Sequence, residues 1–199
     1  MVGLLIGIII GTLIAVIRVM PKYKWIVRFL DKICDIYVAF FRGTPMVVQL
    51  LIGWFGIVVG AGLGINRIVA AMVMFGLNSG AYVSEIMRGG INSVDKGQLE
   101  AGRAVGLSYA SAMIKIVIPQ AIKNVLPTLG NEFITLTKET SVLSFIAIVD
   151  VTRAIQNIAD ASYSYMISYM VLAIIYIILG ALITVIFKLI ERRFKKNER

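Results

Sequence analysis

Two short runs of polar residues lie inside apolar segments of this chain, and their side chains could bind a small solute. The first run is Asn78-Ser79-Gly80, where the glycine can loosen a helix and open backbone groups for binding. The second run lies in one later segment and comprises Glu132, Thr135, Lys138, Glu139, Thr140 and Ser141. Hydroxyls, amides and a carboxylate on facing helices could bind both the carboxylate and the ammonium of a zwitterion. The two runs therefore predict a substrate pathway, unless they bond between helices and only fix the packing.

The residue types that most often catalyse reactions are scarce in this sequence. The 199 residues include no histidine and one cysteine, Cys34, which excludes histidine-based catalysis, histidine metal ligation and an intrachain disulfide. The sequence has no GxxxxGK[ST] motif, so the chain should not bind ATP through a phosphate-binding loop. We therefore expect no catalytic residue, no metal and no cofactor in this chain.

The apolar composition places the chain among membrane proteins. Its residues are 59% hydrophobic, and its mean hydropathy of +0.88 is far above that of a soluble domain. A membrane-spanning helix needs about 20 mostly apolar residues. We predict one transmembrane domain over 1–199, an all-α integral membrane protein whose five spans lie at about 2–19, 45–62, 66–88, 119–138 and 164–187.

The segment between the first two spans is amphipathic. Apolar residues repeat at helical spacing between positions 23 and 41, and charged residues occupy the other face. The basic bias of this segment fits a helix that lies at the membrane surface. Thr44 and Pro45 follow as an N-cap and a first helical residue for the second span.

The distribution of basic residues predicts the orientation in the membrane. Five spans put the two ends of the chain on opposite sides, and an outside N-terminus leaves most of the 20 lysines and arginines on the inner side. The C-terminus and the segment 93–119 are then cytoplasmic. The net charge of +9 faces the inner leaflet and cytoplasmic partners, so we expect no nucleic-acid partner.

The cytoplasmic segment carries the signals of two short helices. Ser93 or Asp95 can cap a first helix, and Gly106 can end it in a left-handed conformation. Ser108 can cap a second helical piece, and Pro119 can occupy the first turn of the fourth span.

One side of the first short helix is small and flanked by charges. Ala101 and Gly102 would let a partner's backbone approach closely, while Glu100 and Arg103 could make directional contacts. A rigid helix between two spans suits the transmission of force. The alternative is an ordered cytoplasmic loop without a partner.

The same segment resembles the EAA loop of ABC-importer permease subunits. Glu100-Ala101-Gly102, Gly106 and Ile116-Val117-Ile118-Pro119 fit both spacings of the family pattern and depart from it only at Gly102 and Ile118. The stretches FFRGTPMVVQLL, LNSGAYVSEIMRGGI and LGNEFITLTKETSVLS are similar to the polar amino acid transport branch. The resemblance covers nearly the whole chain. Because the chain begins almost within its first span, we expect the outer end of that span to be short.

The resemblance implies a transport role and a set of partners. An amino acid would cross the inner membrane of a bacterium by alternating access, through a homodimer or a heterodimer of permease subunits. Two ATPase subunits would hold ATP and magnesium, and an extracellular amino-acid-binding protein would deliver the substrate. The EAA loop would dock in a groove of the ATPase as a coupling helix, through Glu100, Ala101, Gly102, Arg103, Gly106 and Leu107. Neither the amino acid nor the choice between homodimer and heterodimer follows from the sequence.

Two expectations follow from the residues without the resemblance. The polar fourth span cannot face lipid unprotected, which argues for an obligate dimer. Glu85 and Arg88 lie three residues apart on one helix, so we interpret them as a structural ion pair rather than as substrate ligands.

The alternative function is a self-contained ion-coupled carrier or channel, in which the cytoplasmic segment is only a linker. Such a protein would support flux without ATP. The chain has no apparent internal repeat, so an inverted-repeat carrier is not favoured.

Overall fold

The helices follow one another with short connections. The structure is a computed structural model that describes residues 2–196, with the side chains of 190 and 192–196 excepted. The helices are α1 (Val2–Val19), α2 (Trp25–Gly43), α3 (Met46–Leu51), α4 (Arg67–Asn92), α5 (Lys96–Ala104), α6 (Tyr109–Ala112), α7 (Ile118–Glu139), α8 (Val151–Ser162) and α9 (Tyr165–Lys196). Wider π-helical turns at Ile52–Val59 and Met113–Val117 continue α3 and α6, and a 3-10 segment, Thr140–Ile146, follows α7.

Three helices in the described part of the chain are long and apolar enough, taken singly, to cross a membrane: α1, α4 and the first 25 residues of α9. Two bent pairs raise this number to as many as five. One pair joins α2 to Met46–Val59 across a bend of 107°, and the other joins Tyr109–Ile146 to α8 across a bend of 54°. The predicted second and fourth spans both lie within these bent pairs.

The contact between α1 and α4 is the most extensive between any two helices described. Three glycines spaced four apart on α1, at positions 3, 7 and 11, face Phe75, Ser79 and Val83 of α4. A methyl group added at Gly7 would lie 2.6 Å from Ser79 Oγ, and one added at Gly11 would lie 2.7 Å from Val83 Cβ. Because lipid is as apolar as the helix surfaces, the hydrophobic effect does not drive helices together inside a membrane. Small residues stabilise the helix pair instead, since they let the two backbones approach closely.

Helix α4 is the centre of the chain. It packs against α1, α2, α3 and α7, and it contributes more buried residues than any other described helix. Most of these residues are small, including Ala70, Ala71, Gly76, Ser79, Gly80, Ala81 and Ser84. Because small side chains let four helices approach one helix, α4 is the scaffold that positions the polar residues of its neighbours.

Helix α2 turns its predicted apolar face away from the rest of the chain. Trp25, Phe29 and Ile36 are all more than half exposed, whereas Cys34 and Val38 pack against α1 and α4. The lone thiol therefore lies on the buried side of an otherwise amphipathic helix.

We expect Gly11→Ala to lower the free energy of unfolding by about 1–3 kcal/mol, because the added methyl overlaps Val83 and the backbone of Ser84. Gly89→Ala is the matched control, since nothing lies within 4 Å of a methyl group at that exposed position of α4. SDS denaturation of the purified protein, followed by circular dichroism, measures both. Equal destabilisation of the two variants would contradict the close packing of α1 on α4.

Candidate functional site

Helix α5 is fixed at both ends by the predicted caps. The Asp95 side chain accepts a hydrogen bond from the Gly97 N–H (2.6 Å), so Asp95 rather than Ser93 is the N-cap. At the other end Gly106 has a φ of 89°, and the Leu107 N–H donates to the Gly102 carbonyl (3.1 Å). This left-handed ending satisfies carbonyl groups that would otherwise lack partners.

The second helical piece of the segment 93–119, which begins with α6, is also capped as predicted. The Ser108 hydroxyl accepts a hydrogen bond from the Ser111 N–H (3.2 Å), and Pro119 lies in the first turn of α7. The Tyr109 hydroxyl donates to the Val19 carbonyl (3.4 Å), which ties this piece to the end of α1. The segment between α4 and α7 is therefore an ordered unit joined to the helices on either side.

The predicted coupling residues of α5 divide between two sides of the helix. Glu100, Ala101 and Arg103 are exposed. Gly102 is buried, because a methyl group there would lie 2.7 Å from Ile116 Cδ1 of the same chain. The prediction that a partner approaches Gly102 directly is thus wrong: its missing side chain makes room for the following helical piece. Of the remaining two residues in the predicted set, Gly106 is exposed and Leu107 is half-buried.

A cavity of about 640 Å³ opens beside α5. It lies between α5, α6 and the ends of α1 and α4, and its lining includes Val19, Ile91, Asp95, Lys96, Glu100 and Tyr109. Glu100 therefore borders open space and has room to meet another protein.

A buried amide pair joins the bend between α2 and α3 to the middle of α4. Gln49, 2% exposed, donates through Nε2 to the carbonyls of Phe41 (2.8 Å) and Thr44 (2.9 Å). Its Oε1 accepts from Asn78 Nδ2 (2.9 Å). Asn78, a predicted pathway residue, is thus engaged within the chain. Gln49 is not among the predicted site residues. The sequence marks it only as an amide side chain within an apolar run shortly after Pro45.

A second buried polar contact links α4 to α7. Ser79 Oγ donates to Glu132 Oε1 at 3.3 Å, and both residues are buried. Gly80 lies where α1 and α2 meet α4, since a methyl group there would be 2.9 Å from Ile10 Cγ2. Neither Glu132 nor Glu139 forms an ion pair with any side chain that the structure describes.

The opposite side of α7 is polar and uncovered. Five residues spaced three and four apart are all exposed in this chain: Asn124, Thr128, Asn131, Thr135 and Lys138. We call this set the α7 polar stripe. Lys138 also lines a cavity of about 270 Å³ with Tyr176, Gly180 and Thr184 of α9. The predicted pathway residues Thr135 and Lys138 belong to the stripe, whereas Glu139, Thr140 and Ser141 are half-buried just beyond it.

Charged residues form a cluster where α1, α2 and α4 meet. Arg88 Nη2 lies 2.6 Å from Glu85 Oε2, which confirms the predicted pair. Glu85 is also paired with Arg18 and lies 3.9 Å from Arg42. Arg18 in turn contacts Asp35 at 2.7 Å. Glu85 is therefore neutralised within the chain, as expected for a structural ion pair.

The chain matches a known family over almost its full length. The family described as "Binding-protein-dependent transport system inner membrane component" matches residues 3–196. The chain belongs to this family of permeases. Its relatives are named as permease subunits, so this chain too is a transport subunit rather than an enzyme.

Curated relatives of this permease come from several bacteria. The arginine transport system permease protein ArtQ of Bacillus subtilis is 40% identical, over 99% of this chain and 88% of the relative. The putative glutamine transport system permease protein GlnP of Rickettsia bellii is 38% identical over 96% and 86% of the two chains. The L-cystine transport system permease protein TcyL of B. subtilis is 35% identical over 98% and 82%.

Two solved structures have the same fold as the permease. An amino acid ABC transporter crystallised with histidines matches with a TM-score of 0.86 and 38% identity, over 96% of this chain and 87% of the other. An inward-facing MetNI methionine ABC transporter matches with a TM-score of 0.77 and 20% identity, over 96% and 89%. The permease therefore has the all-helical fold of ABC-importer membrane subunits.

We expect Gln49→Met to lower the free energy of unfolding by about 1–3 kcal/mol, because it leaves Asn78 and the carbonyls at the α2–α3 bend without their partner. Gln98→Met is the matched control, because Gln98 is exposed and accepts one long bond of 3.4 Å from Gln120. SDS denaturation again reports both stabilities. An unchanged stability of Gln49→Met would show that the amide pair does not hold the bend.

Proposed function

We propose that the permease couples ATP hydrolysis on partner ATPases to amino acid import through the exposed face of α5, formed by Glu100, Ala101 and Arg103. The chain is the membrane-spanning subunit of an ABC amino acid importer, since its named relatives and a solved neighbour at 38% identity are subunits of such systems. The observation that carries the coupling role is the rigid, capped helix with a small and charged outer face.

The connections of α5 support a mechanical role. Asp95 and Gly106 fix its two ends, and Gly102 seats it against the second cytoplasmic piece. Asn124 Nδ2 of α7 donates to Ser93 Oγ (2.9 Å) at the end of α4. A displacement of α5 by an ATPase would therefore move the adjoining ends of α4 and α7 together. In this proposal Gly102, Gly106 and Leu107 shape the helix, and the three exposed residues contact the ATPase.

The α7 polar stripe supports a pathway shared between two permease subunits. Its five residues are exposed in the single chain, and polar groups in a membrane need either partners or water. A second permease subunit facing the stripe would cover it and leave a polar channel for an amino acid. In this proposal Thr135 and Lys138 line the pathway directly. Behind this lining, the helices that form the pathway are held together by Asn78, Ser79, Gly80 and Glu132. One end of the pathway is formed by Glu139, Thr140 and Ser141.

The proposed orientation follows from the basic residues. The N-terminus is outside and the C-terminus is cytoplasmic, so α5 lies on the side where ATP is available. The extracellular binding protein then meets the opposite side of the inner membrane. ATP and magnesium are held by the ATPase subunits.

We expect Glu100→Arg to abolish most ATP-driven uptake while the protein stays in the membrane, because it inverts a charge on the proposed docking face. Gln98→Arg is the control: Gln98 is also exposed but lies two residues away, on the far side of the same helix. Uptake and ATPase activity of the reconstituted complex measure the effect. Normal uptake by Glu100→Arg, or loss of its membrane insertion, would count against the coupling role.

We expect Thr135→Val to lower the kcat/KM for uptake about fivefold, the effect of losing one hydrogen bond to the substrate or its water. Thr137→Val is the control, because the Thr137 hydroxyl donates to the Phe133 carbonyl (2.8 Å) and Thr137 does not belong to the α7 polar stripe. Both variants keep the shape of the side chain. Equal losses in the two variants would indicate a packing effect rather than a pathway.

The decisive test of the function is uptake into proteoliposomes that contain the permease, its ATPase and its binding protein. A panel of labelled amino acids is offered with and without internal ATP. We expect uptake of one group of amino acids, and only with ATP. Uptake without ATP would favour the alternative, a self-contained carrier or channel.

A further inference from the structure

We propose that the outer surface of α2 is a binding site for anionic phospholipid headgroups, formed by Lys24, Arg28 and Lys32. Arg28 and Lys32 lie four residues apart on α2, and Lys24 is its N-cap, so the three cations follow one another along the start of the helix. All three are exposed. This inference does not depend on the coupling role of α5 or on the substrate.

The acidic residues of α2 do not neutralise this row. Asp31 pairs with Lys22, and Asp35 pairs with Arg18 at 2.7 Å, so both carboxylates are committed to α1 and its connection. Among the side chains that the structure describes, no acidic residue forms an ion pair with Lys24, Arg28 or Lys32. The exposed side of α2 thus carries three positive charges that pair with none of the described carboxylates.

The rotation of α2 about its axis is fixed, so the row cannot turn inward. The Tyr37 hydroxyl donates to the Leu77 carbonyl of α4, and Cys34, Val38 and Phe41 are buried on the same side. With 100° per residue, the cations lie beside an exposed apolar stripe comprising Trp25, Phe29, Ile33, Ile36 and Phe40. One exposed side of the helix is therefore apolar and the neighbouring side is cationic.

The position of α2 relative to the apolar helices favours a lipid over a protein as the partner. Helix α2 begins six residues after the end of α1, where a highly apolar span gives way to Arg18 and Lys22. It then runs at 107° to Met46–Val59. The start of α2, which carries the cations, adjoins the basic end of α1, where Lys22 pairs with Asp31. An apolar side facing acyl chains and a cationic side facing headgroup phosphates complement an anionic leaflet.

The test uses the natural probe on this surface. Trp25 is 68% exposed on α2, and the chain has only one other tryptophan, Trp54. Trp54→Phe keeps an aromatic ring beside Arg67 and leaves Trp25 as the sole reporter. The whole chain, purified with its assembly, is reconstituted with mixtures of brominated phosphatidylglycerol or brominated phosphatidylcholine, and the quenching of Trp25 gives the relative binding of the two lipids.

Each cation near an anionic leaflet is worth a roughly fivefold preference. We therefore expect stronger quenching by phosphatidylglycerol, and at least a tenfold fall in that preference for the variant Lys24→Gln/Arg28→Gln/Lys32→Gln. The control variant Lys96→Gln/Lys115→Gln/Arg153→Gln removes the same charge from exposed positions elsewhere and should keep the preference. Added salt should weaken the preference in the unsubstituted permease.

Three results would overturn the proposal. Equal quenching by the two lipids would mean that the cations do not select a headgroup. A preference that survives the triple substitution on α2 would place the lipid site elsewhere. Absence of quenching by either lipid would mean that a protein, such as a second permease subunit or the ATPase, covers α2 in the assembly.

Discussion

The close contact between α1 and α4 is the constraint on which the rest of this structure depends. Glycines of α1 bring its backbone against Ser79 and Val83, and this contact fixes the rotation of α4. Once α4 is fixed, its other sides are available to α2, α3 and α7. Ser79 then sits where it can donate to Glu132 of α7, and Asn78 sits where it can donate to Gln49. In a bilayer such close packing and hydrogen bonding replace the burial of apolar surface as the forces that join helices.

The structure sorts the polar residues of the apolar segments into two groups. Asn78, Gln49, Ser79 and Glu132 find partners inside the chain and hold helices together. The five residues of the α7 polar stripe are instead exposed in the single chain, and of these Asn124 also donates to Ser93 Oγ. The sequence alone could not separate the groups, since both consist of amides, hydroxyls and carboxylates in apolar surroundings. The two groups differ only in the side of the helix on which each residue lies, and that side is set by the packing of the helices.

What could be predicted from the sequence was local. The caps at Asp95, Gly106 and Ser108 and the Glu85–Arg88 pair involve residues at most five positions apart, so their spacing determines the contact. The family resemblance, carried by motif spacing, also held. The contacts that were missed are distant in sequence: Arg18 and Glu85 are 67 positions apart, and Gln49 and Asn78 are 29 apart. Such pairs depend on the packing of whole helices, which no short pattern specifies.

The correction at Gly102 clarifies how one short helix can serve two surfaces. Neighbouring positions on a helix point about 100° apart, so Ala101 and Gly102 cannot both face the same partner squarely. Ala101 is exposed and leaves the outer face of α5 flat, whereas Gly102 is buried and lets Ile116 approach from within. In the proposed coupling role, the two small residues serve different purposes: Ala101 leaves room for another protein, and Gly102 leaves room for Ile116 of the same chain. A rigid coupling helix needs both an accessible outer face and close packing on its inner side. Without that packing, a force on the outer face would bend α5 rather than move α4 and α7.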